Sequence, residues 1–241
     1  MKCGRGYYKS SNGDVYEGDF QNGLRNGHGV YTYLDKSIYT GEYKDDKKCG
    51  QGIFKYSNGD VYEGSYKDDM RHGFGLFTYN HGDVYKGNYF KGKRNGKGSY
   101  SYSNGDLFEG DFIEGDKSGK GIMKYTDGNI YDGEFSNDNM NGYGILRYVN
   151  GDVYEGMYLE DKKHGQGKYT YLSGDSYAGD WEDDKKKGYG TYKYVDGDMY
   201  KGQWADDKKS GQGIFTFGNG EVYHDGNWIN DKADDDAVVL S

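Results

Sequence analysis

The sequence predicts an all-β fold, an elongated single-layer antiparallel β-meander rod made of 23-residue β-hairpin repeats. An aromatic residue returns every 23 residues from Tyr16 to Tyr200, which is the signature of a repeat array. Short runs of period-two alternation follow each of these residues, and such runs indicate strands. Asn-Gly and Asp-Gly pairs separate the copies, and these pairs favour hairpin turns.

Nine copies follow one another without an insertion or a deletion. We number the repeat positions 1 to 23 from the recurring aromatic residue, with Gly at positions 3, 12 and 14 and further aromatic residues at positions 5 and 18. The predicted organisation is a partial repeat at 1–15, nine repeats at 16–38, 39–61, 62–84, 85–107, 108–130, 131–153, 154–176, 177–199 and 200–222, a partial repeat at 223–230 and an acidic tail at 231–241.

The turns are predicted from the same pattern. Pairs such as Asn58-Gly59 predict two-residue turns between copies, whereas the stretch KDDKKCG predicts a longer connection within a copy. Copy one has Leu34-Asp35-Lys36-Ser37 where other copies have Asn-Gly-Asp, so we expect a different turn type there. Gly226 comes one residue late after Tyr223, which predicts a β-bulge in the last half copy.

Composition limits the class of protein. The chain has 43 Gly, no Pro, two Cys and a net charge of -9, which argues against a nucleic-acid-binding role and against a disulfide framework. An apolar run long enough for a transmembrane helix or a signal peptide is absent from the sequence. We therefore expect a cytoplasmic protein, with the cytoskeleton or a cilium as candidate locations.

The alternation also predicts two different faces. Side chains at positions 1, 3, 5, 14, 16 and 18 share one face, which becomes a ladder of aromatic rings and glycines, while the other face is mixed and carries Val, Ile or Leu at positions 15 and 23. An exposed aromatic surface favours protein binding. The predicted groove for a helix or an extended peptide comprises Tyr62, Tyr66, Tyr79, Tyr85, Tyr89, Tyr102, Phe108, Phe112, Tyr125, Tyr131, Phe135, Tyr148, Tyr154, Tyr158, Tyr171, Tyr177 and Trp181.

A row of lysines supports an alternative prediction, a phosphoinositide-binding membrane adaptor. Acidic pairs such as Asp183-Asp184 lie beside the lysines and cancel much of their field. The candidate lipid-binding residues are Lys162, Lys163, Lys185, Lys186, Lys187, Lys208 and Lys209.

Catalytic chemistry is not predicted. His72 and His164 occupy a repeat position that is merely polar in other copies. The aspartates after the turn glycines would lie about 10 Å apart, too far to share one metal ion. We therefore predict a protein that is not an enzyme and has neither a metal site nor a cofactor.

The segments YEGDFxxGxxNGHG in copy one and YEGSYxDDMRHGFG in copy three resemble the MORN (membrane occupation and recognition nexus) repeat. The resemblance implies a twisted single-layer sheet used as a scaffold in cytoskeletal, ciliary or membrane-adjacent assemblies, and it allows a regulatory partner of a lipid kinase as a further alternative. It also implies dimerisation through a terminal edge strand, for which Tyr223 and Trp228 are the candidate residues. Asp234, Asp235 and Asp236 would oppose such a dimer by charge repulsion.

Overall fold

The computed structural model describes residues 3–234, and these residues form only strands and turns. No helix in the described part of the chain is long and apolar enough to cross a membrane. The chain divides into two compact units, Met1–Gly119 and Lys120–Ser241.

Unit 1 contains ten complete strands and the first residues of an eleventh. They are β1 (Gly4–Lys9), β2 (Val15–Gln21), β3 (Leu24–Thr32), β4 (Ile38–Lys44), β5 (Lys47–Lys55), β6 (Val61–Lys67), β7 (Met70–Thr78), β8 (Val84–Phe90), β9 (Lys93–Ser101), β10 (Leu107–Ile113) and β11 (Asp116–Lys124).

Unit 2 continues in the same way. Its strands are β12 (Ile130–Ser136), β13 (Asn139–Arg147), β14 (Val153–Leu159), β15 (Lys162–Thr170), β16 (Ser176–Glu182), β17 (Lys185–Lys193), β18 (Met199–Ala205), β19 (Lys208–Thr216), β20 (Val222–Ile229) and β21 (Lys232–Ala233).

Successive strands pair antiparallel, with glycines opposite glycines. Gly64 on β6 faces Gly52 on β5 and Gly75 on β7, so position 3 of each hairpin meets position 14 on both sides. The predicted open antiparallel meander of 23-residue hairpins is confirmed.

The turn within a copy is tighter than predicted. Asp68 and Asp69 have φ angles of 49° and 66°, so they form a two-residue turn of the type that needs two left-handed residues. Asp tolerates this conformation because its short side chain hydrogen-bonds locally. The Asp69 amide donates to the Lys48 carbonyl at 3.1 Å, and the Asp69 carboxylate accepts from the Lys48 amide at 2.9 Å. The turn therefore fastens each copy to the one before it.

The turn between copies is longer than predicted. Ser57, Asn58 and Gly59 form a three-residue loop in which only the glycine has a left-handed φ, 94°. The Gly59 amide donates to the Tyr56 carbonyl at 3.0 Å, as in a type I turn closed by a glycine bulge. The Asn58 side chain accepts from the Asp60 amide at 3.0 Å, which fixes this loop, so the prediction of two-residue Asn-Gly turns is wrong.

Copy one uses the same loop with a different residue. Lys36 has a φ of 73° where other copies have glycine, and its amide donates to the Tyr33 carbonyl at 3.0 Å. The prediction of another turn type in copy one is therefore wrong.

The core of most hairpins is a tyrosine ring lying on glycine backbone, and Phe108 takes that repeat position in copy five. A Cβ atom added at Gly75 would lie 2.5 Å from the ring of Tyr62, so no other residue fits beneath that ring. The Tyr62 hydroxyl donates to the Ser65 carbonyl at 3.0 Å, and the ring is 0% exposed. The repeated glycines are required by this close approach.

The last half copy contains the predicted bulge, because the pairing of β20 with β19 shifts register between Phe215 and Thr216. The segment assigned to the acidic tail begins with a turn and β21, whose Ala233 pairs with Trp228. The rest of that segment, from Asp235 on, lies outside the described residues, and so does most of the predicted charge repulsion.

Candidate functional site

The aromatic face is a closed core. The ring of Tyr62 meets the rings of Tyr66 and Tyr89 edge-on, with centroids 5.2 Å apart in both pairs, which is the favoured geometry for aromatic pairs. The same contact joins position 1 to position 5 in the next copies along each unit, for example Tyr154 to Trp181 at 5.3 Å. Each copy therefore buries its neighbour's rings.

Most of the predicted groove residues belong to this core, so the prediction that they line a groove is wrong. Twelve of them are at most 6% exposed and cannot touch a partner: Tyr62, Tyr66, Tyr85, Tyr89, Phe108, Phe112, Tyr131, Phe135, Tyr154, Tyr158, Tyr177 and Trp181. The glycines beneath the rings let the side chains lie flat on the sheet, and neighbouring rings cover their edges. The other five are half-buried: Tyr79, Tyr102, Tyr125, Tyr148 and Tyr171.

A cation at repeat position 10 covers the rings from the other side. The Arg71 guanidinium carbon lies 5.7 Å from the ring centroid of Tyr62, 5.2 Å from that of Phe77 and 5.1 Å from that of Tyr89. Each such contact stabilises the fold by about 0.5–2 kcal/mol. The same position holds Arg25, Lys48, Arg94, Lys117, Lys163, Lys186 and Lys209, and it holds Met140 in copy six.

Three of the predicted lipid-binding lysines are these covering cations. The ammonium groups of Lys163, Lys186 and Lys209 lie within 5.1 Å, 4.8 Å and 5.1 Å of a ring centroid. Burial lowers the pKa of Lys163 and of Lys186. These three side chains therefore pack inward and do not present their charge to a lipid head group.

Three others are paired with carboxylates. The Lys162 ammonium lies 3.1 Å from Asp183, and the Lys185 ammonium lies 3.2 Å from Asp206. Lys187 pairs with Glu182, and this contact raises the pKa of Lys187. The seventh, Lys208, is exposed on β19. Six of the seven lysines predicted to bind phosphoinositides are thus engaged in the core or in local ion pairs.

The predicted dimer edge is half covered. Trp228 is 3% exposed, its indole donates to the Gly213 carbonyl at 2.9 Å, and β21 pairs with β20 at this residue. Tyr223 is 60% exposed. Trp228 therefore belongs to the ring core, because its own chain covers the strand edge where it lies.

The opposite face of unit 1 carries the exposed apolar surface. One row of side chains crosses the strands from β2 to β8, and each member is opposite the next: Glu17, Val30, Thr40, Ile53, Glu63, Leu76 and Lys86. Val30 and Ile53 are 38% and 37% exposed. Three consecutive copies therefore place an aliphatic side chain at repeat position 15.

This row lines a trough. A cavity of about 540 Å³ lies over β2 to β6, with glycine backbone on its floor and Val30, Ile53 and Glu63 along its sides. A second cavity of about 410 Å³ shares Glu63 and continues to Phe74 and Leu76. Phe74 is 55% exposed. We name this surface the unit 1 trough.

The carboxylates of the trough have different tasks. Asp19 accepts from the His28 amide at 3.0 Å, and Glu42 accepts from the Gln51 amide at 2.8 Å, so both hold the bulged backbone of the following strand. Glu63 is exposed between Ile53 and Leu76. Its carboxylate forms neither a hydrogen bond nor an ion pair within the described residues, so it remains available to an external cation.

Unit 2 does not repeat the trough's apolar row. Its position 15 is occupied by Ile122, Ile145, Lys168, Thr191 and Ile214, so a charge and a hydroxyl interrupt the aliphatic series. The trough could have been predicted from the sequence, since position 15 is aliphatic in three consecutive copies of unit 1. The prediction of a binding face was drawn instead from the more regular aromatic pattern on the other face.

No group of three or more metal-ligating side chains occurs within residues 3–234. Cys3 and Cys49 are both free thiols.

The family model of the MORN repeat matches residues 1–15, 16–37, 39–61, 62–84, 85–107, 108–130, 131–153, 154–176, 177–199 and 200–222. The chain belongs to the MORN repeat family. The buried rings, the paired glycines and the covering cation are therefore features of consecutive MORN repeats. No curated protein matches the chain.

Solved structures give weaker likenesses. The TCP10 domain of Danio rerio CPAP in complex with a STIL peptide is 11% identical over 95% of this chain and 97% of that chain, with a TM-score of 0.47. The SAS-4 TCP domain of Drosophila melanogaster in complex with a proline-rich motif of Ana2 is 12% identical over 71% of this chain and 86% of that chain, with a TM-score of 0.40. Both TM-scores are below 0.5, so these likenesses have no bearing on the function of this MORN protein.

Proposed function

We propose that this chain is a non-enzymatic MORN-repeat scaffold that binds a segment of a partner protein in the unit 1 trough. The observation that carries the proposal is the row of exposed Val30, exposed Ile53 and half-buried Leu76, which three consecutive copies place beside an available carboxylate. Exposed apolar surface with a polar rim is typical of protein-binding sites.

The ring face and the trough face have different roles. The ring face supplies stability through contacts between neighbouring copies, and its side chains are buried. The trough face carries no comparable packing, so its composition can vary between copies without loss of the fold. The aliphatic series in unit 1 is therefore better explained by a partner than by stability.

A cytoskeletal or ciliary assembly is the setting that the family resemblance implies, and it belongs to the same proposal. Localisation of the tagged full chain against tubulin in ciliated cells tests this part. A diffuse distribution of the tagged wild-type chain, identical to that of a variant without the trough's apolar residues, would contradict it.

The binding proposal is tested by selection from a displayed library of random 16-residue peptides on the immobilised full chain. A variant with Val30→Ser, Ile53→Ser and Leu76→Ser removes the apolar row. The matched control carries Ile145→Ser and Ile214→Ser at the same repeat position in unit 2. Near-UV circular dichroism checks that both variants keep the ring core.

We expect peptides that bind the wild type and the control but bind the trough variant at least 10-fold more weakly. Equal binding to all three proteins would refute the trough as the binding site. Failure to select any peptide on the wild type would count against a peptide-binding scaffold.

A further inference from the structure

The spacing of the trough's apolar residues restricts the conformation of a bound segment. Val30, Ile53 and Leu76 lie on every second strand, β3, β5 and β7. Neighbouring strands are about 4.8 Å apart, so consecutive members of the series are about 9.6 Å apart. A segment that lies across the strands must present one apolar side chain at each such interval.

Three regular conformations can be compared with this interval. A β-strand advances about 9.9 Å in three residues, but residues three apart point to opposite faces. An α-helix advances about 10.5 Å in seven residues. A polyproline II helix advances about 9.3 Å in three residues, which is one full turn and returns to the same face.

The difference between the advance of the bound segment and the spacing of the trough residues adds up over the two intervals from Val30 to Leu76. It reaches about 1.8 Å for an α-helix and about 0.6 Å for polyproline II. Polyproline II therefore places an apolar side chain on each aliphatic residue of the trough with the smallest adjustment.

The polar groups of the trough suit the same conformation. A polyproline II segment has no internal hydrogen bonds, so its carbonyl groups need external donors. The Thr40 side chain lies in the row between Val30 and Ile53. The Gln51 side chain lines both cavities, and its amide nitrogen donates to the Ser65 hydroxyl at 2.9 Å. An α-helix satisfies its own backbone and would leave these donors unused.

The charge of the trough favours a basic segment. Glu63 has no partner within the described residues, where Glu17 forms one ion pair, with Arg5 at 3.7 Å, and both of those side chains are more than 60% exposed. Four strand spacings, about 19 Å, separate the two glutamates, and six residues of polyproline II span about 18.6 Å. Lys86 ends the row opposite Leu76 and lines the second cavity, and Lys55 lies opposite Val61.

We propose that the unit 1 trough binds a basic, proline-containing segment in the polyproline II conformation, with an apolar residue at every third position. This inference rests on the proposed function, because it names the class of partner for the same site. Each third residue packs on Val30, Ile53 or Leu76, and the arginine or lysine side chains approach Glu17 and Glu63.

The test uses fluorescein-labelled peptides and fluorescence anisotropy with the full chain. The probe is (Leu-Pro-Arg)4, whose leucines recur every third residue. A charge-reversed peptide, (Leu-Pro-Glu)4, tests the electrostatic part. A period-four peptide, (Leu-Pro-Pro-Arg)3, tests the spacing. A helical peptide with leucine and arginine at seven-residue spacing tests the competing conformation.

We expect (Leu-Pro-Arg)4 to bind more tightly than the other three peptides and to weaken as salt rises from 50 to 500 mM. Glu63→Gln should weaken it about 3- to 5-fold, the effect of an exposed ion pair. Ile53→Ser should weaken it about 5- to 10-fold through lost apolar burial. Glu155→Gln, at the same repeat position in unit 2, should change the affinity less than 2-fold.

Other outcomes separate the two proposals. Tighter binding of the helical peptide, lost in Ile53→Ser, would overturn the polyproline II inference and keep the trough as a binding site. Equal binding of (Leu-Pro-Arg)4 and the period-four peptide would also overturn it. If none of the four peptides binds and the library selection also fails, the proposed function itself fails.

Discussion

Two tyrosines of one hairpin provide a matched test of the buried ring core. Tyr62 and Tyr66 are both buried, at 0% and 6% exposure, and their rings are in contact with each other. The Tyr62 hydroxyl donates to the Ser65 carbonyl at 3.0 Å. The Tyr66 hydroxyl has no hydrogen-bond partner within the described residues, and burial raises its pKa. The same substitution by phenylalanine should therefore have opposite effects.

The magnitudes follow from the hydrogen bonds. Tyr62→Phe loses a buried hydrogen bond and should destabilise the hairpin by about 0.5–1.5 kcal/mol. Tyr66→Phe removes an unsatisfied buried hydroxyl, whose desolvation costs about 1–3 kcal/mol, and should stabilise the hairpin. Phe112 and Phe135 already occupy the same repeat position, so the ring itself is tolerated there. The two variants should differ by about 1.5–4.5 kcal/mol.

The assay is native-state hydrogen exchange, because stability in repeat arrays is largely local. Amides of β6 and β7 should exchange faster than wild type in Tyr62→Phe and more slowly in Tyr66→Phe. Exchange in the unit 2 hairpin of β16 and β17 serves as an internal control and should be unchanged. Faster exchange of β6 and β7 in both variants would refute the assignment of Tyr66 as an unsatisfied hydroxyl.

Three further predictions concern the core and its polar supports. Gly133→Val should destabilise its hairpin and weaken the near-UV circular dichroism of the aromatic rings, because the new side chain collides with Tyr131; a wild-type thermal midpoint and spectrum would contradict the packing. Lys186→Met should change the free energy of unfolding by less than about 1 kcal/mol, since Met140 fills the same position in copy six. Lys186→Glu should lower the free energy of unfolding by about 2 kcal/mol or more, because it places a carboxylate over the rings. Equal effects of the two variants in urea denaturation would argue against a covering cation. Partial burial raises the pKa of Asp83, but hydrogen bonds from the Tyr100 hydroxyl and the Ser103 amide outweigh it and hold the pKa at about 2. Because this pKa is depressed in the folded state, the stabilisation is complete above pH about 4 and is lost as the pH falls through about 2. In Asp83→Asn, the urea midpoint should therefore fall less steeply with decreasing pH over this range than in the wild type. An unchanged slope would contradict this prediction.

The meander could be predicted from the sequence because the spacing of Tyr16, Tyr39 and Tyr62 fixes the repeat and its alternation fixes the strands. The turns could not, since Asn58-Gly59 is compatible with two loop lengths and the choice depends on the hydrogen bonds of the flanking residues. The Asp68-Asp69 pair contains no glycine, which is the usual sequence signal for a left-handed turn, so this turn could not be predicted.

The functional face was misassigned for a related reason. Alternation shows which side chains share a face, but it does not show which face is covered. The cover comes from Arg71, which lies opposite Tyr66, and from the rings of the next copy, such as Tyr89. Once that face is closed, the aliphatic residues of the other face, such as Ile53, become the exposed apolar surface.

The most direct test of this account is hydroxyl-radical footprinting of the full chain, alone and with a peptide selected on the immobilised protein. The account predicts that Phe74, which is 55% exposed, is oxidised in the free chain and protected in the complex, while Tyr62 stays unreactive in both. Oxidation of Tyr62 in the free chain, with protection on binding, would show that the ring face is open and would contradict the account.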